Sequence, residues 1–185
     1  MRQSHVGEGK DGATTKATTD IQGNRISNLV MKLEEALKIS NEVYYRLKPH
    51  CERIEVAGSI RRHKPNVNDI DIVLIPGDRE KLDGAITQLG NQIIGGAKIK
   101  RVSYKGAQID IYYATTETWA TLLLIRTGSK ESNIRLCSAA KRKGWKLCAA
   151  GNGLFNEKGD KIAGDSEESI YKALGLKYQE PWERS

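Results

Sequence analysis

Apolar positions first recur with helical spacing. Leu29, Leu33, Leu37, Tyr44 and Leu47 fall at intervals of three, four and seven residues, which places them on one face of an amphipathic helix. Pro49 ends that helix, because its ring removes a backbone donor and clashes with the preceding turn. The period then changes to two. Ile54 and Val56 alternate within a short strand, Arg53 to Ala57, which Gly58-Ser59 breaks. After a polar loop, His63 to Asn68, alternation resumes from Asp69 to Ile75. Ile70, Ile72 and Leu74 take one face of this strand; Asp69, Asp71 and Val73 take the other. Arg79 to about Gly90 reads as a helix. Ile99–Tyr104 and Gln108–Tyr113 read as strands paired across a hairpin turn at Lys105-Gly106.

After about Thr115 the chain changes character. One helix, Thr116 to Arg126, stops at Thr127-Gly128, and a second runs from near Ser129 to near Gly144. Trp145–Cys148 and Leu154–Asn156 are short strand candidates, followed by a turn at Glu157-Lys158-Gly159-Asp160. Asp165 or Ser166 caps a last helix through Leu174, with Glu168 placed for a capping box. The expected class is α+β: a mixed sheet with helices on one side, then a small helix-and-hairpin unit. The expected divisions are a disordered tail at 1–22, a mixed unit with its leading helix at 23–115, and the small unit at 116–185. The tail expectation rests on a stretch rich in Gly, Ser, Thr and Lys with little to bury.

Composition narrows the function classes. The chain has 185 residues, enough for a core without staples. Its net charge is +7, compatible with a nucleic-acid partner and equally with mere solubility. The distribution says more. Between Arg126 and Ala150 seven basic residues face one acidic residue, so most of the surplus lies in one segment. Cys51, Cys137 and Cys148 are odd in number and widely spaced, which excludes a disulfide framework or a paired-cysteine zinc site. No stretch is apolar enough to span a membrane, and Met1 to Lys10 lacks the apolar core of a secretory signal. A cytoplasmic place is therefore expected, or the cytoplasm of a host if the chain is virus-encoded. With no heptad pattern visible, a monomer is expected.

The candidate chemistry lies in the aspartates. Asp69 and Asp71 are two residues apart on a strand, so their carboxylates point the same way and repel unless a cation lies between them. Oxygen-only ligands suit magnesium. Asp110, inside Gln108-Ile109-Asp110-Ile111, joins them if its strand lies beside the first, which is the arrangement two-metal phosphoryl transfer requires. Alone, Asp-Ile-Asp also describes an edge strand with a wet face. The segment ahead of it weighs against that. Gly58-Ser59 at a helix start offers backbone N–H groups and a hydroxyl to a phosphate, and Arg62 adds a fork.

Gly58-Ser59-Ile60-Arg61-Arg62, then Asp69 and Asp71, resembles the palm signature of the family X (polymerase-beta-like) DNA polymerases. Asp110 falls where the family places its third carboxylate. Arg126-Thr127-Gly128-Ser129-Lys130-Glu131-Ser132-Asn133-Ile134-Arg135 resembles the start of the thumb in bacterial-type members. Gly153-Leu154-Phe155 and the tail from Leu174 to Arg184 are further signatures in the same order. The resemblance covers about four fifths of the chain, from Glu35 to Arg184.

It implies a nucleotidyltransferase palm followed by a thumb. In that scheme Asp69 and Asp71 bridge two magnesium ions, for which manganese substitutes, and Asp110 binds the catalytic one near the primer 3′-hydroxyl. Gly58, Ser59 and Arg62 hold the triphosphate, and Thr127, Gly128 and Asn133 line the nucleotide. Arg126, Lys130, Arg135, Lys141 and Arg142 are the DNA-binding candidates. The implied partners are deoxynucleoside triphosphates and primer/template or gapped DNA. The implied reaction is templated addition to a primer end, best matched to gap filling in repair; untemplated terminal transfer, transfer to RNA, to a small molecule or to a protein, and a non-catalytic DNA-end binder are the alternatives.

Three departures stand out. Ile125 and Arg126 replace the two aromatic residues usual before Thr-Gly, which implies weaker discrimination against ribonucleotides. Only about 25 residues precede the first helix, which leaves no room for a lyase domain and implies a weaker hold on DNA. Leu147 to Asn152 replaces the usual polar thumb residues ahead of Gly-Leu-Phe. Trp119, Trp145 and Trp182 are expected to pack rather than stack on bases. His5, His50 and His63 show no ligand spacing.

Overall fold

The structure, a computed structural model, describes residues 18–19, 25–26 and 30–184. The tail expected at 1–22 lies outside the described residues, apart from the backbone pairing of β1 (Thr18–Thr19) with β2 (Arg25–Ile26). Strand β3 (Met31–Lys32) leads into helix α1 (Leu33–Leu47), and a short 3-10 turn at Lys48–His50 carries Pro49.

The face α1 buries shares only Leu47 fully with the leucine stripe. Ala36, Ile39, Ser40, Val43 and Leu47 are buried, whereas Leu37 is exposed, Leu33 and Tyr44 are only partly covered, and Leu29 lies outside the described residues. The buried set has the same helical spacing, but two members are the small residues Ala36 and Ser40, which let the helix approach the sheet closely.

Next come β4 (Cys51–Val56), the single turn α2 (Gly58–Arg61), β5 (Asn66–Val67), β6 (Ile70–Pro76) and α3 (Arg79–Leu89). The Asp78 side chain caps α3 by accepting from the Lys81 N–H at 3.0 Å. Strands β7 (Asn91–Gly95), β8 (Ile99–Tyr104) and β9 (Ala107–Tyr113) complete a five-stranded sheet in the order β4-β6-β9-β8-β7. Only β6 and β9 run parallel. The turn between β8 and β9 has positive φ at both Lys105 (51°) and Gly106 (79°), the combination that matches the twist of a two-residue hairpin.

One sheet face carries Ile70, Ile72, Leu74, Ile109 and Ile111, all buried under α1 and α3. Full burial of each such side chain contributes about 1.5–3 kcal/mol. Val73 and Tyr112 point to the opposite face, which α4 (Trp119–Thr127) covers in part through Trp119, Ala120, Leu122 and Leu123. The carboxylates of Asp71 and Asp110 share this second face by the alternation of their strands.

Helix α5 (Lys130–Arg142) follows, capped by Ser129, whose hydroxyl accepts from the Ser132 N–H at 3.2 Å. A three-stranded sheet comes next: β10 (Lys146–Cys148), β11 (Gly153–Phe155) and β12 (Lys161–Ala163). Helix α6 (Glu167–Leu174) is capped by Ser166, and the reciprocal partner of the capping box is Ser169, not Glu168. With Ser166 as the cap, the third helical position is 169. Leu124, Leu136, Leu154, Ile170, Tyr171 and Leu174 form the core of this region.

Candidate active site

A cleft of about 830 Å³ lies between the two regions. From the palm side Gly58, Ser59, Arg62, Asp69 and Asp71 line it. From the other side come Arg126, Gly128, Lys130 and Asn133. These nine residues, singled out in the sequence from separate segments, face one space. Lys64, Asn66, Asn68 and Ser129 also line it and were not singled out. The polar loop ahead of Asp69 was the only signal for Lys64, Asn66 and Asn68, and Ser129 was read only as part of the thumb signature and the start of a helix.

Gly58 has φ +58°, and a Cβ built there would stand 2.0 Å from Asp71 Oδ2. Only glycine permits both the left-handed backbone and the close approach of that carboxylate. Ser59 Oγ, Arg62 Nε, Arg126 Nε and Asn133 Oδ1 are buried and find no partner among the described residues. Buried polar atoms are ordinarily paired, so four such atoms around one cleft mark a place where a ligand rich in acceptors and donors fits. Asn133 is positioned by its amide, which donates to the Ile125 carbonyl at 2.8 Å. Arg126 lies over the Tyr112 ring, 4.2 Å from its centroid. Arg62 donates from Nη1 to the Thr127 carbonyl, and Gly128 packs against the same guanidinium.

Asp71 occupies an unfavourable place for a charge. Burial first, then the charges of Asp69 and Asp110, push its pKa up to about 7, against the Tyr112 hydroxyl and the Arg126 cation. Asp69 is also raised, first by burial and next by Asp110, with Arg101 and Arg62 opposing. Burial lowers the pKa of Arg62, and the charges of Asp71, Glu131 and Asp69 counteract it. Asp69 and Asp71 thus have cations nearby but no ion-pair partner among the described residues. Two oxygen donors in that condition fit a hard divalent cation.

Asp110 differs. It stands opposite Asp71 in the parallel register of β6 and β9, but both its oxygens are taken. Arg101 donates from Nε to Oδ1 and from Nη2 to Oδ2, each at 2.6 Å. Gln108 Nε2 adds a bond to Oδ1 at 3.2 Å, and the Tyr112 hydroxyl one to Oδ2 at 3.4 Å. Among the described residues no three carboxylate, histidine or cysteine side chains stand together as a metal-holding group. The expected meeting of three carboxylates is therefore corrected. The backbone brings Asp110 to the right register, and Arg101 holds its side chain. Arg101 was not singled out, although it sits directly across from Asp110 on β8.

Other candidates lie off the cleft. Thr127 is buried, and its hydroxyl accepts from Arg61 Nη1 at 2.7 Å. Arg135 is exposed and donates to Gln179. Lys141 and Arg142 are exposed in the last turn of α5. Arg61 also pairs with Glu167 at 2.7 Å, and Glu167 approaches Arg184 Nη1 at 2.6 Å. This second approach is an ion pair whose angle falls outside hydrogen-bond geometry. Trp119 is buried and Trp145 partly covered, whereas Trp182 is exposed and stacked on His63, with centroids 5.8 Å apart. Among the described residues the three cysteines are free, and no helix is long and apolar enough to cross a membrane.

Residues 122–185 match the family model described as DNA polymerase beta thumb. The chain is 31% identical over 108 residues to a DNA nucleotidylexotransferase of Xenopus laevis, a match covering 57% of this chain and 20% of that protein. It is 28% identical over 150 residues to the DNA polymerase/3'-5' exonuclease PolX of Bacillus subtilis, covering 76% of this chain and 26% of that one. It is 25% identical over 185 residues to Repair DNA polymerase X of African swine fever virus, covering 90% of this chain and 98% of the viral one. The chain thus spans only a fifth to about a quarter of the first two relatives but nearly all of the third. The fold matches Leishmania infantum polymerase beta, solved as a ternary P/T complex, with a TM-score of 0.73 at 20% identity over 86% of this chain and 78% of that one. Fold and cleft together define an α+β palm joined to a polymerase-beta-type thumb. Within that class, the chain is similar to the family X DNA polymerases.

Proposed function

We propose that this chain is a DNA polymerase that adds a deoxynucleotide to a primer 3′-hydroxyl, opposite a template, in short gaps. The observation that carries the reading is the cleft itself. It sets the unpartnered Ser59 hydroxyl and the Arg62 and Arg126 guanidinium N–H groups beside two carboxylates whose pKa values are raised and that have no ion-pair partner among the described residues. A triphosphate with its divalent cation satisfies both sets at once.

In this reading Ser59 and Arg62 donate to the β and γ phosphates, and the bare Cα of Gly58 admits the Asp71 carboxylate at their side. Asn133 and Gly128 line the nucleotide. Asp69 and Asp71 would hold magnesium, or manganese in its place, and Asp110 would join them as the third ligand once Arg101 releases it. The bound ions would supply charge neutralisation at the reacting phosphate and a lowered pKa for the primer hydroxyl. The primer oxygen forms a bond to the α-phosphorus, the bond to pyrophosphate breaks, and the hydroxyl proton passes to Asp110 or to water. Lys130 at the cleft, with Arg135, Lys141 and Arg142 beyond it, supplies the phosphate-binding surface, so binding should weaken steeply with salt. Arg126 stands at the cleft wall over Tyr112.

A second reading, untemplated end extension, draws on the exotransferase relative. One assay separates them. The chain, magnesium and single dNTPs are incubated with a labelled primer, either bare or annealed across a one-nucleotide gap. Incorporation of only the complementary nucleotide in the gap, abolished by Asp110→Ala, is the expected result. Extension of the bare primer would favour the second reading. No incorporation on either substrate would overturn both.

A further inference from the structure

The grip of Arg101 on Asp110 has a consequence for metal binding. The Asp110 side chain is 3% exposed, and four donor contacts from Arg101, Gln108 and Tyr112 occupy its two oxygens. Asp69 and Asp71 have no ion-pair partner among the described residues, the Tyr112 hydroxyl being the only side-chain donor beside Asp71, and they open onto the cleft, which Asp110 does not line. The three carboxylates are thus in two different states within one site. Two are available to a cation, and one is already neutralised by the chain's own guanidinium.

We infer that Arg101 is a latch on the third metal ligand. It keeps Asp110 closed to a divalent cation until the guanidinium is displaced, so that the site fills in two unequal steps. The contact is built rather than incidental. Arg101 and Asp110 are cross-strand partners in the β8–β9 hairpin, and a planar fork matches both carboxylate oxygens. A cation that takes an Asp110 oxygen must first break those two charge-assisted bonds. A cation at Asp69 and Asp71 breaks none. Arg101 acts through Asp110 and is a positioning residue, and its side chain is 22% exposed against 3% for Asp110, so it is the more accessible partner of the pair. The latch rests on the reading of Asp69, Asp71 and Asp110 as metal ligands given above.

The test is manganese binding to the full chain without DNA, followed by the electron paramagnetic resonance signal of free Mn2+. The wild-type chain is expected to take one ion readily and a second weakly. Arg101→Gln is expected to tighten the weak step about tenfold while leaving the first step unchanged. Arg101→Lys, which keeps the charge but loses the fork, is expected to fall between the two, and it carries the test if Arg101→Gln fails to fold. Adding Asp110→Asn to either variant should remove the gain. A weak step of equal or lower affinity in both Arg101 variants would overturn the latch and leave the polymerase reading standing, provided nucleotide incorporation persists. Absence of manganese binding together with absence of incorporation would overturn both.

Discussion

At the scale of single residues, Gly58 and Asp71 are one device. The left-handed backbone at Gly58 costs any other residue about 1–2 kcal/mol, and an added methyl would stand 2.0 Å from the Asp71 carboxylate. Gly58→Ala is therefore expected to displace Asp71 and lower the turnover number about a hundredfold, with far-ultraviolet circular dichroism unchanged. Near-normal turnover would show that the contact is dispensable. Asp71 also sets a pH dependence. Its pKa rises from 3.8 to about 7 on folding, so the folded chain binds more protons than the unfolded one between those values. The stability tied to this group is full below about pH 4 and is lost as pH rises through 7. The groups facing it are Asp69, Asp110, Tyr112 and Arg126. In the metal-free chain, Asp71→Asn should melt near the wild-type temperature at pH 4 and above it at pH 8. Magnesium should narrow the difference by restoring wild-type stability. A melting difference that does not change with pH would contradict the shift.

At the scale of elements, strands with alternating faces were legible, and sites made by side-chain competition were not. The β6 and β9 strands followed from period-two patterns, because a sheet with one face under helices imposes that alternation. The edge strand β7 was missed. Its burial is confined to Ile93, so no alternation marks it. Strand β12 was missed for a similar reason, since Lys161 and Ile162 are exposed and only Ala163 is buried. In α1 the leucine stripe misled, because the buried face is centred on Ile39 and Val43 with the small Ala36 and Ser40, and Leu37 lies off it. Arg101 was within reach of the sequence. Once Lys105-Gly106 is taken as a two-residue turn, Arg101 and Asp110 lie at equal distances on either side and must face each other. What counting could not give is the choice of partner. That Asp110 meets a guanidinium rather than the other carboxylates depends on rotamers and burial. The nine cleft residues were readable only because they come from short segments with dense signals; Thr127 was read with them, but Arg61 holds its hydroxyl.

At the scale of the whole molecule, one buried charged side chain stands at the centre of the polar contacts that join the two regions. Glu167, at the start of α6, receives Arg61 from α2 and Arg184 from the C-terminal 3-10 turn. Its side chain is 8% exposed and that of Arg184 0% exposed. The N-terminal end of α6 adds partial positive charge on the same side. Arg61 is also the donor to Thr127 at the end of α4, and the next residue along the chain is Arg62. The junction therefore fixes the phosphate-facing turn and the thumb to each other. Glu167→Gln leaves a buried Arg184 without its counter-charge, and breaking a buried pair in this way costs about 3–5 kcal/mol. The urea midpoint should fall accordingly. Pairing it with Arg184→Met removes the stranded cation as well, so part of the loss should return. Such recovery would mean that the penalty lies in the uncompensated charge and not in lost packing. If Glu167→Gln unfolds at the wild-type midpoint, the junction is held instead by the apolar contacts of Trp119, Leu122 and Leu123 with the sheet, and the ion network only orients Arg61.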